Sequence, residues 1–134
     1  MSKNPILVYV EDDPLSREVM KMLVVRRLGF SLTVFEDSQD IIARLEALPA
    51  KPDMILLDIH MRPHNGFAVL EMLRAHPSYA TTQVIAVTAS VMNEEMALLE
   101  SSGFNGAIAK PIDQTFFPEF IGRAMQGEEI WHVS

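Results

Sequence analysis

The sequence of 134 residues contains no cysteine, which excludes disulfide bonds, thiol catalysis and thiolate metal sites. Basic residues are also scarce, since 11 lysines and arginines stand against 18 aspartates and glutamates, giving a formal net charge of −7. An acidic chain lacks the basic face that nonspecific binding to nucleic acid requires. The longest stretch without charge, 75–93, contains histidine, proline and several hydroxyl groups, so it is not a membrane span. We therefore expect one soluble, cytoplasmic domain that binds neither DNA nor membranes.

Glycine is absent where a nucleotide-binding α/β protein needs it. The first apolar run, 6–10, is followed by the acidic tripeptide 11–13 rather than by glycines. An acidic turn repels a pyrophosphate, whereas the Rossmann and P-loop folds cradle phosphates on a glycine-rich turn. The sequence also contains no Gly-x-Ser-x-Gly motif, so a serine hydrolase is poorly supported.

The sequence does contain a regular alternation of short apolar runs and longer amphipathic segments. The apolar runs predict five β-strands, at 6–10, 32–35, 54–57, 84–87 and 106–109. Runs without polar alternation are typical of parallel strands that are buried on both faces. The intervening segments show helical spacing and begin near Pro14, Ser38 and Asn65, with Ser38 as the expected N-cap of the second helix. The alternation predicts one parallel sheet with helices on both faces.

Polar side chains end four of the five predicted strands. The acidic tripeptide 11–13 follows the first strand, and the third, fourth and fifth strands end at Asp58, Thr88 and Lys110. Because ligands of open α/β sheets bind at the carboxyl ends of the strands, we expect these side chains to meet at one edge. Exposed strand ends are often polar, but that explanation predicts glycine, asparagine or serine as readily as the acids, the hydroxyl and the lysine found here.

The residue types at this predicted edge suit phosphoryl transfer to a carboxylate. Clustered carboxylates repel one another unless a cation lies between them, and Mg²⁺ or Mn²⁺ accepts such oxygen ligands. A carboxylate is a competent nucleophile toward phosphorus and would form an aspartyl phosphate. The metal and Lys110 would neutralise the phosphoryl charge, and the Thr88 hydroxyl would donate to a phosphoryl oxygen.

Four motifs resemble the receiver domain of two-component response regulators, over nearly the whole chain. They are Val10-Glu11-Asp12-Asp13-Pro14, Leu56-Leu57-Asp58-Ile59 with Asn65-Gly66 downstream, Val87-Thr88-Ala89, and Ala109-Lys110-Pro111. Their spacings also match, since Asp58 lies 46 positions after Asp12, Thr88 lies 30 after Asp58, and Lys110 lies 22 after Thr88. The resemblance implies a stand-alone, chemotaxis-regulator-like receiver domain at 1–127 and a C-terminal tail at 128–134. It also implies a doubly wound, flavodoxin-like α/β fold with a five-stranded parallel sheet in the order 2-1-3-4-5.

By this resemblance, Asp58 is the expected phosphoacceptor, and Thr88 and Lys110 respond to the phosphoryl group. Pro111 would follow a cis peptide bond that aims Lys110 inward. The expected donor is a phosphohistidine on a sensor histidine kinase or a histidine phosphotransfer protein. The chain would then be a signalling domain rather than an enzyme, with only self-directed phosphotransfer and autodephosphorylation. Its output would be contact with an unidentified protein target.

The resemblance also implies the ligands of the metal. Asp12, Asp58 and the backbone carbonyl of His60 would bind it directly. Glu11 would be the other acid of the pocket, and Asp13 is a weaker candidate that we expect at an exposed helix start.

Several positions depart from the family's pattern or leave alternatives open. Arg62 stands where a proline is usual, and Ala107 stands where many receivers carry an aromatic switch residue. These departures leave room for an interaction module that works without phosphorylation. By the resemblance, His60 and Ser90 occupy positions that tune the lifetime of the acyl phosphate in this family. Trp131 is compatible with packing of the tail or with a homodimer contact.

An aspartyl-phosphate phosphatase on a similar sheet is the enzymatic alternative. Such phosphatases use a second aspartate two residues after the nucleophile, where His60 stands here. They also need a cap or insertion to bind their substrate, and no segment of this sequence is long enough to supply one.

Overall fold

The computed structural model describes residues 4–89 and 92–132, so Ser90 and residues 133–134 of the predicted tail lie outside the described part. Within that part, six parallel strands form one sheet in the order 2-1-3-4-5-6. The strands are β1 (Ile6–Val10), β2 (Ser31–Phe35), β3 (Met54–Asp58), β4 (Gln83–Thr88), β5 (Gly106–Ala109) and β6 (Ile130–His132). The predicted α/β class and the order of the first five strands are confirmed.

Helices connect the strands. They are α1 (Pro14–Lys21), α2 (Ile41–Glu46), α3 (Gly66–Ala75), α4 (Asn93–Ser102) and α5 (Phe117–Met125). A π-helical segment, Met22–Arg27, continues α1 directly. Asn65 caps α3 by accepting a hydrogen bond from the amide of Ala68, as its position before the apolar segment suggests. A membrane-spanning helix is not found among the described residues.

The prediction that Ser38 caps α2 is wrong. Asp40 directly precedes α2, with a left-handed φ of 50°. Ser38 is buried, and its hydroxyl donates to the carbonyl of His64 at 2.7 Å and accepts from the amide of His64 at 2.8 Å. The Ser38 hydroxyl, which the local pattern predicts to cap α2, therefore bonds to His64, 26 positions later in the chain.

The sixth strand was not predicted. It lies in the segment expected to be a tail and pairs with β5, with Gly106 opposite Ile130 and Ala107 opposite Trp131. Gly106 permits this close pairing, because a Cβ atom at this position would lie 2.6 Å from the carbonyl oxygen of Ile130. A three-residue strand offers too little alternation to be recognised in a sequence. The boundary between domain and tail after residue 127 stays a prediction.

The core consists of two clusters, one on each side of the sheet. We call the side that packs on α1 and α5 the α1/α5 face; its buried residues include Leu7, Tyr9, Met20, Leu23, Met54, Leu56, Phe117 and Phe120. We call the other side the α2–α4 face; its buried residues include Val8, Val10, Leu45, Leu57, Val69, Leu73, Ala86, Leu99 and Ala107.

Alternation along the strands decides which face each strand-end side chain occupies. In β3, Leu56 belongs to the α1/α5 face, so Asp58, two residues later, lies on that face. In β4, Ala86 belongs to the α2–α4 face, so Thr88 lies there. The sheet therefore separates the side chains of Asp58 and Thr88 onto opposite faces at its carboxyl edge.

Candidate functional site

The parallel strands bring the polar residues predicted from the sequence to one edge of the sheet. Glu11 is the first residue after β1, Asp58 is the last residue of β3, Thr88 is the last of β4, and Lys110 follows β5. Three of these side chains are strongly buried, since Glu11 is 0%, Thr88 1% and Asp58 3% exposed. Polar groups this deeply buried need specific partners, and Lys110 after β5 is such a partner for Glu11 and Asp58.

Three acids form a cluster at this edge. Carboxylate oxygens of Glu11, Asp12 and Asp58 lie within 4.8 Å of one another. Glu11 and Asp58 are buried, whereas Asp12 is exposed and opens the cluster to solvent. Asp13 has a different role, because its carboxylate caps α1 by accepting from the amide and hydroxyl of Ser16 at 2.9 and 2.7 Å. These hydrogen bonds lower the pKa of Asp13.

Lys110 bridges the two buried acids. Its Nζ lies 2.9 Å from Oε1 of Glu11 and 3.5 Å from Oδ1 of Asp58. Burial alone would lower the pKa of Lys110, but the hydrogen bond to Glu11 and the charge of Asp58 raise it above its ordinary value. Lys110 is therefore a cation at neutral pH, and it lies between the two buried acids.

Glu11 has a further partner that the sequence analysis did not identify. The hydroxyl of Tyr9 donates to Oε1 of Glu11 at 2.5 Å, and the amide of Asp13 donates to Oε2 at 3.2 Å. Burial raises the pKa of Glu11 and the adjacent Asp58 raises it further, while the bonds from Tyr9 and Lys110 oppose this. The signal in the sequence was a tyrosine in an otherwise aliphatic strand, two residues before the first acid.

The loop after β3 is held in place by hydrogen bonds from two directions. The amide of His60 donates to Oδ1 of Asp58 at 3.3 Å, and His60 is an exposed residue. Farther along, the amide of Ser38 donates to the carbonyl of Arg62 at 3.0 Å, beside its two bonds to His64. The carbonyl of His60 stays a predicted metal ligand. Both X–Pro bonds near the site, Arg62–Pro63 and Lys110–Pro111, are cis.

On the α2–α4 face, β4 and β5 carry small side chains beside Thr88, and β6 carries a tryptophan. Ala86 in β4 is opposite Ala107 in β5, and Ala107 is opposite Trp131 in β6. Trp131 is half-buried and packs on the α2–α4 cluster of its own chain. The aromatic ring that position 107 lacks is therefore present on the neighbouring strand. A homodimer contact through Trp131 stays a prediction.

Comparison with known families identifies the chain. The model of the response regulator receiver domain matches residues 6–121, which include every strand-end residue described above. The chain therefore belongs to the response regulator receiver domain family. Members of this family are phosphoacceptor signalling domains of two-component systems, which favours the predicted signalling role over the phosphatase alternative.

A relative of known sequence agrees with this membership. The chain is 30% identical over 115 residues to the probable C4-dicarboxylate response regulator DctR of Halalkalibacterium halodurans, covering 83% of this chain and 48% of that protein. It thus spans about half the length of this relative.

Two solved structures have the same fold. The receiver domain of sensor histidine kinase PA1611 from Pseudomonas aeruginosa, which has magnesium in its active site cleft, superposes with a TM-score of 0.80 at 22% identity, over 92% of this chain and 99% of that chain. Chemotaxis response regulator CheY4 of Vibrio cholerae also gives 0.80, at 19% identity over 90% and 98%. At these identities the likeness concerns the fold alone.

Proposed function

We propose that this domain accepts a phosphoryl group on Asp58 from a phosphohistidine, in a Mg²⁺-dependent reaction in the cytoplasm. The donor is a sensor histidine kinase or a histidine phosphotransfer protein, and phosphorylation changes the affinity for a downstream protein. One observation carries the proposal: carboxylate oxygens of Glu11, Asp12 and Asp58 lie within 4.8 Å of one another, and Lys110 contacts two of these acids.

The acid cluster fits a small divalent cation. Carboxylates this close repel one another, and Mg²⁺ or Mn²⁺ accepts one or two of them together with phosphate oxygens. Asp12, Asp58 and the carbonyl of His60 would hold the ion, and Glu11 would complete the acidic pocket. When bound, the metal neutralises charge on the phosphoryl oxygens. The magnesium in the cleft of the PA1611 receiver domain supports this assignment.

Asp58 is the nucleophile of the proposed reaction. One carboxylate oxygen forms a bond to phosphorus, the P–N bond of the donor phosphohistidine breaks, and the leaving imidazole nitrogen keeps the electron pair and takes a proton. Lys110 Nζ, 3.5 Å from Oδ1 of Asp58, is near enough to pair with a phosphoryl oxygen. The hydroxyl of Thr88 donates to another oxygen from the opposite face of the sheet. Hydrolysis of the acyl phosphate by water then resets the domain.

Phosphorylation would change the ends of β4 and β5 together. The added charge and its acceptor oxygens draw Thr88 and Lys110 inward. These two residues are already linked, because the amide of Lys110 donates to the carbonyl of Thr88 at 2.8 Å. We expect the loops after β4 and β5, and the surface formed by α4, β5 and α5, to change as a result. A downstream partner binds selectively only if its affinity differs between the two forms.

Intact-mass measurement after incubation with acetyl phosphate tests the proposal. The wild type should gain one labile phosphoryl group with Mg²⁺ present and none when the metal is chelated. Asp58→Asn should gain none in either condition, because the nucleophile is gone.

Asp13→Asn is the matched control, since Asp13 is an acid beside the cluster that caps α1 instead. It should be labelled like the wild type. Labelling of Asp58→Asn, or metal-independent labelling of the wild type, would refute the proposal.

A further inference from the structure

We propose that Tyr9 is a positioning residue that helps the Lys110 side chain to move from Glu11 to the phosphoryl group. This inference rests on the proposed function and assigns a role to a residue outside the acid cluster. Tyr9 contributes the hydroxyl that stays on Glu11 while the lysine moves.

The geometry beneath the cluster is the first argument. Tyr9 and Glu11 are both 0% exposed, and the phenol oxygen lies 2.5 Å from Oε1 of Glu11. Lys110 Nζ donates to the same oxygen at 2.9 Å. A carboxylate oxygen accepts about two hydrogen bonds, so these two donors fill Oε1. Oε2 accepts from the amide of Asp13 at 3.2 Å and keeps capacity for an ion or its bound water.

The second argument concerns what happens when Lys110 leaves. A phosphoryl group on Asp58 would attract Nζ, which is already 3.5 Å from Oδ1 of that residue. Oε1 of Glu11, a residue that is 0% exposed, would then lose a donor, and an unpaired buried acceptor is costly. Tyr9 cannot follow the lysine, because its ring is packed in the α1/α5 core. Its hydroxyl keeps Oε1 bonded and so lowers the free-energy cost of the lysine's transfer.

The composition of β1 is the third argument. The other residues of the strand, 6–8 and Val10, are all aliphatic. A tyrosine in a strand that is buried on both faces must find a hydrogen-bond partner for its hydroxyl, and here that partner is an acid of the site. If the hydroxyl served folding alone, its removal would lower stability without separating the two binding steps described next.

The test compares two affinities of Tyr9→Phe, which keeps the ring and removes the hydroxyl. Mg²⁺ affinity is measured by calorimetry without a phosphoryl mimic, when Lys110 still pairs with Glu11. Beryllofluoride affinity is measured at saturating Mg²⁺, when the lysine must move to the mimic. We expect beryllofluoride binding to weaken about tenfold, the size of a hydrogen bond to a charged group. Mg²⁺ binding should change less than about twofold, because the lysine has not moved.

Tyr79→Phe is the matched control, because Tyr79 is the other tyrosine of the sequence and is also buried. It should leave both affinities unchanged. In a Lys110→Ala background no lysine moves, so adding Tyr9→Phe should leave beryllofluoride affinity as it is in Lys110→Ala alone.

Equal losses of both affinities in Tyr9→Phe, or no loss in either, would overturn the role of Tyr9. Failure of the wild type to bind beryllofluoride would instead refute the proposed function. The two failures are therefore distinguishable in one set of titrations, and thermal unfolding of each variant checks that it is folded.

Discussion

The two faces of the sheet differ sharply at its carboxyl edge. On the α1/α5 face, Tyr9, Glu11, Asp58 and Lys110 form one network of large polar side chains joined by short contacts. On the α2–α4 face, Thr88 is followed inward by small side chains, and the aromatic ring of Trp131 lies at the outer strand. At this edge, charged side chains are concentrated on the α1/α5 face, whereas the side chains described on the α2–α4 face are uncharged. Changes to the first should therefore alter ion binding, and changes to the second should alter packing of the sheet's edge.

Lys110→Ala tests the charged face and should have the largest effect. It leaves the buried carboxylate of Glu11 without its cation, and we expect a loss of about 3 kcal/mol in the free energy of unfolding when metal is absent. Mg²⁺ should restore part of this loss, because it supplies the missing positive charge. Urea unfolding with and without Mg²⁺ measures both quantities.

Lys21→Ala is the control for this change, since Lys21 is an exposed lysine paired with Glu18 on α1. Its effect should stay below about 0.5 kcal/mol and should not depend on Mg²⁺. A loss in Lys110→Ala that is the same with and without Mg²⁺ would argue against a shared electrostatic network on this face.

Gly106→Ala tests the packed face and its outer strand. The new methyl group would meet the carbonyl oxygen of Ile130 at 2.6 Å, so β6 must shift, at a cost of about 2 kcal/mol. The emission of Trp131, the one tryptophan of the sequence, should move to longer wavelength as its ring becomes more exposed. Mg²⁺ affinity should be unchanged, because the acid cluster lies on other strands.

Gly122→Ala is the matched control, because the same substitution should raise the stability there instead of lowering it. Gly122 lies within α5 and a methyl group there would meet nothing within 4 Å, so alanine should stabilise the helix by about 1 kcal/mol. If Gly106→Ala were as stable as the wild type with unchanged emission, the close pairing of β5 with β6 would be refuted.

Glu11→Gln examines the pH dependence of the charged face and should have the smallest effect. Burial raises the pKa of Glu11 in the fold, so the folded protein retains this proton to higher pH than the unfolded chain does. The contribution of Glu11 to stability is therefore full at pH values below the unfolded pKa and falls as the pH rises from there through the raised folded pKa. Without metal, Glu11→Gln should lack this decline and should be more stable than the wild type at neutral pH.

Asp13→Asn should behave in the opposite way, because hydrogen bonds from Ser16 lower the pKa of Asp13. Its contribution is present above the unfolded pKa and is lost as the pH falls through the folded one. Urea unfolding over a pH series gives both differences from the wild type. A Glu11→Gln variant that is less stable than the wild type at neutral pH would contradict the assigned cost of burying this acid.

The order of the first five strands was implied by the resemblance to the receiver domain family, whereas the sequence by itself determined the alternation of strands and helices and the residues at the strand ends. These features are local, because an apolar run encodes burial of a strand and a capping residue such as Asn65 bonds within its own helix turn. The motifs around Asp58, Thr88 and Lys110 could also be recognised from the sequence, because each motif consists of a few consecutive residues.

Only the tertiary structure decided which of these groups touch. Ser38 meets His64 across 26 positions, Lys110 meets Glu11 across 99, and β6 joins the sheet through contacts with Gly106. Local patterns do not encode such pairs, because a hydroxyl or a carboxylate can bond to many chemically equivalent groups. Packing decides which of these groups comes within hydrogen-bond distance.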